Sequence, residues 1–513
     1  MSRLHPAELI ARREDAVKAL SQPDLAAAVD LVVWVEQGTD GPVALAANHL
    51  GRVRLHADGR HEVLEGQDPV PSEDPMAFLP YELECANPGP ARSVDNAYPY
   101  AAARILSLFA DPTRSPDLAI VHTPRHWFPD EGGHHGEHGS LDVIQSRAPL
   151  VMSGVGVRRL GLVDDHARLV DVGPTLAALA GVPPEQLHDA HGEPLDGGVL
   201  TAYLEGEQPR EPVVVGMLWD GGHCGELLAM AEAGELPGVA RLIDAGLALR
   251  GGAVAQFPSI TLTNHTSILT GLGPGRHGVL GNVFYDRETG ERVVPNDAST
   301  WHRSGEWLRP AVRTVFEMVS EVVPPRDTPR TACVDEPIER GADYSTMAVI
   351  RASGSGNGAA GLGELLPDPH GSGHVHDRAH LDDGYYSWAT QVDDVGLQQM
   401  TQLFADRRAA PRFTWWSNVV TDAGHHAGGP RSEIARASLR DADARLRAFL
   451  AHLDTLGMTD DVTFVLTADH GFEAADEAVT GSWRQALDDL GFPYRDEGPG
   501  FVYLMAEEGP DHS

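Results

Sequence analysis

Residues 213–220 read Val-Val-Val-Gly-Met-Leu-Trp-Asp, a short apolar run that stops at a carboxylate. That is the pattern of a buried parallel strand whose carboxyl end opens into a loop. The pattern recurs: Phe413 to Val420 is followed by Asp422, and Val462 to Leu466 leads to Asp469. Leu118 to His122 precedes a His-rich loop and Ala148 to Ser153 follows it, and both read as strands of the same kind. Amphipathic helical patterns lie between the runs. The clearest is Ser432 to Leu453, with Ile434, Leu439, Ala442, Leu446, Phe449, Leu450 and Leu453 along one side. Strands alternating with helices predict an α/β fold with a mostly parallel sheet. Two regions break the rhythm. Residues 287–411, with Gly- and Pro-rich punctuation at 354–363 and 370–373, read as a cap insertion over the sheet, and 31–65 reads as an antiparallel edge.

The chain has 513 residues, with 75 acidic and 39 basic side chains and a formal charge of −36. That balance excludes a basic nucleic-acid clamp and disfavours acidic membranes. Cations held in a cleft would locally reverse the sign for an anionic substrate. The start of the chain is polar and helical in pattern, without the features of a secretion signal, and no stretch is apolar enough to span a bilayer. Three scattered cysteines, Cys85, Cys224 and Cys333, are too few for a disulfide framework or a thiolate zinc site. The expectation is a cytoplasmic protein.

Asp220, Asp422 and Asp469 each follow a strand-like run, so they should converge at one sheet edge, where open α/β folds place their sites. Any one of them alone reads as readily as a helix cap or a turn former. Asp422 and His426 are four residues apart and can reach one ion from one turn of chain, while Asp469 and His470 are adjacent. Mixed carboxylate and imidazole donors suit zinc or manganese better than calcium. In the segment Phe257-Pro-Ser-Ile-Thr261-Leu-Thr-Asn-His-Thr, the apolar spacing predicts a helix opening at Thr261. Free amides there favour a phosphoryl group, and a divalent cation would make the threonine hydroxyl a competent nucleophile. Without metal ions, Thr261 reads as an ordinary helix cap.

These segments, taken in order, resemble the type I phosphodiesterase and nucleotide pyrophosphatase branch of the alkaline phosphatase superfamily. The matching pieces are Asp220-Gly, Pro-Ser-Ile-Thr261-Leu-Thr-Asn-His, Thr270-Gly, His277-Gly-Val-Leu-Gly-Asn282-Val-Phe-Tyr-Asp286, Asp422 to His426 with Gly429-Pro430, and Asp469-His470-Gly471. The resemblance implies an alkaline-phosphatase-like sheet with helices on both faces and a two-metal hydrolase working through a phosphothreonine at Thr261. By position, Asp220, Asp469 and His470 would hold the ion that activates Thr261, itself a ligand, and Asp422 and His426 would hold the second ion. Asn282 would donate to a non-bridging phosphoryl oxygen.

The family pattern requires one more histidine downstream of the Asp-His pair, where this chain has only His512. The missing block resembles the front of the chain instead, in His134-His-Gly-Glu-His138-Gly-Ser-Leu and Val170-Asp-Val-Gly-Pro-Thr-Leu. The implied arrangement is a circular permutation. Residues 1–205 would supply the end of the usual fold and 211–513 its beginning and middle, with a short connection over Gly206 to Pro212 and neighbouring chain ends at Met1 and Ser513. His138 is the expected sixth ligand, with His134 and His135 as rivals, and a homo-oligomer with His138 reaching a neighbouring subunit fits the sequence equally. Leu262 and Thr263 replace an aromatic residue and a proline of the family pattern, a change that weakens the case for base stacking.

The expected substrate is a small phosphodiester or pyrophosphate. A phosphonoacetate-type phosphonate hydrolase and an inactive phospho-ligand-binding relative are the alternatives. Tyr285, Tyr344, Tyr385, Tyr386 and Trp388 are the aromatic candidates for lining the cap.

Overall fold

The computed structural model describes residues 4–506 apart from 40, 87–96, 130–131, 207–210, 298, 353–379 and 499. At its centre is an eight-stranded sheet in the order 344–345, 331–334, 413–418, 213–219, 462–467, 150–154, 246–249, 161–163. All neighbouring pairs are parallel except those of Leu150–Gly154, which runs against both Val462–Thr467 and Gly246–Leu249. Alternate side chains of Val213–Trp219 feed two cores, as expected for a strand covered on both faces. Val214 and Leu218 pack with Leu176, Ile268 and Phe316, while Val215, Met217 and Trp219 pack with Leu227, Leu242 and Leu446. The mostly parallel α/β expectation holds, with helices on both faces. At Gly216 the fit leaves no room for a side chain, since a Cβ there would lie 2.4 Å from the Trp415 ring.

A second, seven-stranded antiparallel sheet has the order 494–497, 501–504, 118–122, 29–38, 41–48, 51–55, 61–66. The antiparallel reading of 31–65 is met by this meander. Two strands differ from expectation. Leu118–His122 belongs here, antiparallel to Val29–Gly38 and to Phe501–Leu504, and Leu150–Gly154 is the one reversed strand of the central sheet. Both are covered on two faces: Ala119 and Val121 enter one core and Leu118 and Ile120 another, and Met152 and Val151 likewise face opposite cores. Burial on both faces makes a run continuously apolar whatever its direction, so periodicity alone carries no sign of it.

Within 287–411, the stretch read as a cap, Thr331–Val334 and Tyr344–Ser345 pair into the central sheet and helix Val315–Val322 packs into a core beneath it. The parts that stand over the site are the turn Trp301–Trp307 and the start of helix Gly384–Leu403. The punctuation at 354–363 and 370–373 lies outside the described residues, as do 207–210 of the expected connection and both Met1 and Ser513. Near the ends, helix Pro6–Leu20 meets the last strand, with Arg12 Nη1 donating to the Met505 carbonyl at 2.8 Å.

Candidate functional site

Three adjacent parallel strands, 413–418, 213–219 and 462–467, deliver the carboxylates from their carboxyl ends. Asp220 directly follows its strand, Asp469 and His470 follow theirs, and Asp422 and His426 lie one turn apart on helix Val420–Gly428. The front of the chain meets them through a two-residue strand pairing, in which Gly136 and Glu137 lie against Ala474 and Glu473. His135 N donates to the His426 carbonyl at 2.9 Å, so the His-rich loop is also tied to the helix. Gly136 is required for that approach: a Cβ there would lie 2.3 Å from the His425 carbonyl oxygen.

The convergence yields two triads in which one ligand atom from each residue lies within 4.8 Å of the others: Asp220, Asp469 and His470, and His138, Asp422 and His426. A third group of the same spacing joins His134 and Glu137 to His426. His135 is in none of the three and instead packs its ring against Trp127. The His138 triad is assembled within a single chain.

The donor chemistry fits divalent cations. His138 Nδ1 lies 3.1 Å from the Ser259 carbonyl, His426 Nδ1 lies 2.9 Å from that of Gly136, and His470 Nδ1 lies 3.1 Å from that of Gly471. A carbonyl only accepts, so each Nδ1 carries the proton and each Nε2 turns its lone pair inward, the tautomer that metal-binding histidines adopt. Asp220 Oδ1, Asp422 Oδ1, Asp469 Oδ2 and His470 Nε2 are buried without a hydrogen-bond partner. Such atoms are costly unless something binds them. Burial, with the charges of Asp469 and Asp422 beside it, drives the Asp220 carboxyl well above its ordinary range. Crowding of that kind is what a cation relieves. Burial and the neighbouring His470 and His426 hold His138 well below the ordinary imidazole range, in the neutral form that ligation needs.

Thr261 is the first residue of helix Thr261–Thr270, as the spacing predicts. Two residues earlier, Ser259 stitches this loop to the His-rich one, accepting from His138 through its carbonyl and donating its hydroxyl to the Ser140 carbonyl at 2.7 Å. Asn282 Oδ1 accepts from Leu262 N at 3.2 Å, which leaves the amide end of Asn282 as the available donor beside Thr261.

His265 closes the Pro-Ser-Ile-Thr261-Leu-Thr-Asn-His segment. It lies on the same helical face one turn after Thr261, its Nδ1 2.9 Å from Glu336 Oε2 and its Nε2 3.5 Å from Asp469 Oδ2 and 3.7 Å from Asp220 Oδ2. Glu336 is itself held by Ser417 Oγ at 2.8 Å and Trp415 Nε1 at 3.2 Å. Burial opposes a charge on His265, but Glu336 and Asp469 outweigh it and raise the imidazole well above its ordinary range. The spacing of four from Thr261 was the available signal for His265; nothing local marked Glu336.

A cleft of about 290 Å³ is lined by Thr261, Asn282, His138, Asp220, Asp422 and His426. The same cleft is also lined by Leu262, Trp301, Met347, Tyr385, Trp388 and Val392. Of the aromatic residues singled out from sequence, Tyr385 and Trp388 line this cleft. Tyr285 packs against Tyr503, Tyr344 donates to Gln399 Oε1 at 2.7 Å and Tyr386 to Asp441 Oδ2 at 2.6 Å, all away from it. No helix among the described residues is long and apolar enough to cross a membrane.

Residues 214–510 match the family model described as type I phosphodiesterase / nucleotide pyrophosphatase. A stretch of 96 residues is 33% identical to alkaline phosphatase PafA of Elizabethkingia meningoseptica, covering 19% of this chain and 18% of that protein. Another of 75 residues is 43% identical to an uncharacterized pyrophosphatase/phosphodiesterase of Schizosaccharomyces pombe, covering 13% and 16%. The matched stretches thus span less than a fifth of either relative's length. Among solved structures, phosphonoacetate hydrolase of Sinorhizobium meliloti aligns at 24% identity and a TM-score of 0.32 over 51% of this chain and 57% of its own. Murine ectonucleotide pyrophosphatase / phosphodiesterase 5 aligns at 13% identity and 0.35 over 52% and 59%.

Proposed function

The chain belongs to the type I phosphodiesterase / nucleotide pyrophosphatase family, and from that premise we propose that it hydrolyses phosphodiester or pyrophosphate bonds through a phosphothreonine at Thr261. The observation that carries this reading is the pair of carboxylate–imidazole triads, of which Asp220, His138, Asp422 and His426 line one cleft with Thr261 and Asn282.

Asp220, Asp469 and His470, with the Thr261 hydroxyl, would hold one divalent cation, zinc or manganese, and Asp422, His426 and His138 a second. Such ions supply Lewis-acid neutralisation of the phosphoryl charge and a lowered pKa for a bound hydroxyl. The protein's own part is positional. Thr261, opening a helix, offers its Oγ to phosphorus while the helix amides face the phosphoryl oxygens. The Oγ–P bond forms as the bond to the leaving oxygen breaks, and the leaving group departs as an alcohol or phosphate. The amide end of Asn282 donates to a non-bridging oxygen that gains charge in the transition state. Water then cleaves the Oγ–P bond, restoring the threonine and releasing the remaining phosphoryl product. His265, paired with Glu336, steadies Asp220 and Asp469 from behind.

The permuted order of segments belongs to the same reading. It is supported by Leu150–Gly154, from the front of the chain, lying between Val462–Thr467 and Gly246–Leu249 in the central sheet. On this reading residues 1–205 and 211–513 are two parts of one fold.

The test is hydrolysis of bis-p-nitrophenyl phosphate by purified protein with added zinc or manganese, with mass spectrometry of quenched reactions. Turnover, and a phosphoryl adduct on Thr261 that Thr261→Ala lacks, are expected. Absence of turnover in metal-loaded protein, with parent and Thr261→Ala indistinguishable, overturns the reading in favour of a non-catalytic phospho-ligand binder. Phosphonoacetate cleaved in preference to diesters makes it a phosphonate hydrolase.

A further inference from the structure

Tyr385 stands at the start of helix Gly384–Leu403, and its hydroxyl donates to Asp422 Oδ2 at 2.8 Å. The other oxygen, Oδ1, has no hydrogen-bond partner and is the one that faces the imidazoles, 3.4 Å from His426 Nε2 and 4.0 Å from His138 Nε2. A carboxylate with one oxygen bound by a phenol offers the other alone, in a fixed direction.

The Tyr385 ring belongs to a residue that is 44% exposed and lines the cleft. It lies 6.0 Å from the Trp388 ring and 21° from parallel to it, and Trp388 in turn meets Trp301 at 5.6 Å. Further along the same helix, Asp393 accepts from Val419 N at 2.8 Å and Val420 N at 3.2 Å, at the opening of the helix that carries Asp422. The Gly384–Leu403 helix therefore grips the Asp422 helix at two points, one of them the carboxylate itself.

We infer that Tyr385 is a positioning residue whose hydroxyl holds Asp422 as a single-oxygen ligand for the second cation. This rests on the two-ion reading above. Tyr385→Phe keeps the ring and frees Asp422 Oδ2.

The experiment is calorimetric titration of chelator-stripped, full-length protein with zinc alone, paired with steady-state kinetics on bis-p-nitrophenyl phosphate. The parent should bind two ions. Tyr385→Phe should bind the first as the parent does and the second about 10- to 100-fold more weakly, with unchanged KM and a kcat that recovers in excess zinc. A Tyr385→Phe variant that binds both ions as tightly as the parent overturns the hydroxyl's role. A parent that binds fewer than two ions overturns the two-ion reading itself, and this inference with it.

Discussion

His138 and His470 stack ring on ring, their centroids 3.6 Å apart and their planes 10° from parallel, although they come from opposite parts of the chain. Phe472 meets both rings edge-on, at 5.0 and 5.4 Å. The stack places one imidazole from each triad side by side, and it forms only because the strand pairing of Gly136 and Glu137 with Ala474 and Glu473 sets the register of the His-rich loop.

Substituting His138 should therefore affect one ion only. His138→Ala is expected to lower zinc content from two equivalents toward one, measured by elemental analysis, and to cut kcat by about 100-fold or more. His135→Ala, which alters a ring packed on Trp127, should keep both ions. His134→Ala should also leave His138, Asp422 and His426 loaded. If His134→Ala rather than His138→Ala loses the ion, the second cation sits in the His134, Glu137 and His426 group instead.

The register itself is testable at Gly136. Gly136→Ala puts a methyl 2.3 Å from the His425 carbonyl oxygen, a backbone atom with little room to yield. Overpacking of that kind costs about 1–3 kcal/mol. The expected result is a lower denaturation midpoint with unchanged m-value, together with loss of zinc. Parental stability would mean that the loop moves freely.

Asn282 acts on the transition state in the proposed reaction, so Asn282→Ala should lower kcat by about 100- to 1,000-fold with little change in KM or zinc content. A change confined to KM would reassign Asn282 to ground-state binding.

Much of this site was legible before the fold was known, and the reason is local. A parallel strand ends where its apolar run ends, so Asp220, Asp422 and Asp469 announced both their strands and their common edge. His426 followed from helical spacing, and Thr261 from the apolar period behind it. What was not legible depends on distance in the chain. Strand direction at 118–122 and 150–154 is set by partners, since burial on both faces erases alternation. Glu336 sits at the end of a sheet strand inside a stretch that reads as a cap, and only the fold brings it to His265. Likewise the sequence shows Tyr385 as an aromatic residue, while the hydroxyl's grip on Asp422 requires two helices to pack.

Cation binding should be visible as stability. In the ion-free protein Asp220 Oδ1, Asp422 Oδ1 and Asp469 Oδ2 are buried without a hydrogen-bond partner, and burial with the charges of Asp469 and Asp422 raises the Asp220 carboxyl. An ion that binds only the folded state adds about 2.7 kcal/mol at a hundredfold excess over its Kd. Adding zinc to stripped protein should raise the thermal midpoint in two resolvable increments, and Asp469→Asn should abolish the one owed to the first site. An identical midpoint with and without zinc or manganese would contradict ion binding by the folded chain.

A last prediction concerns a carboxyl remote from the triads. Asp30, 6% exposed in the antiparallel sheet, accepts from the Tyr98 hydroxyl at 2.8 Å, yet burial pushes its pKa up to about 7 from an ordinary 3.8. The folded state thus holds this proton more tightly than the unfolded chain does. Its contribution to stability is fully present below the ordinary carboxylate pKa and is lost as pH rises through about 7. Asparagine keeps an oxygen for Tyr98 but never ionises. The stability of Asp30→Asn relative to the parent should therefore improve between pH 5 and pH 8, by on the order of 2 kcal/mol, in denaturant melts at matched ionic strength. A difference that stays flat across that range would mean that Asp30 remains ionised in the folded protein, with the Tyr98 hydroxyl and its surroundings solvating the charge.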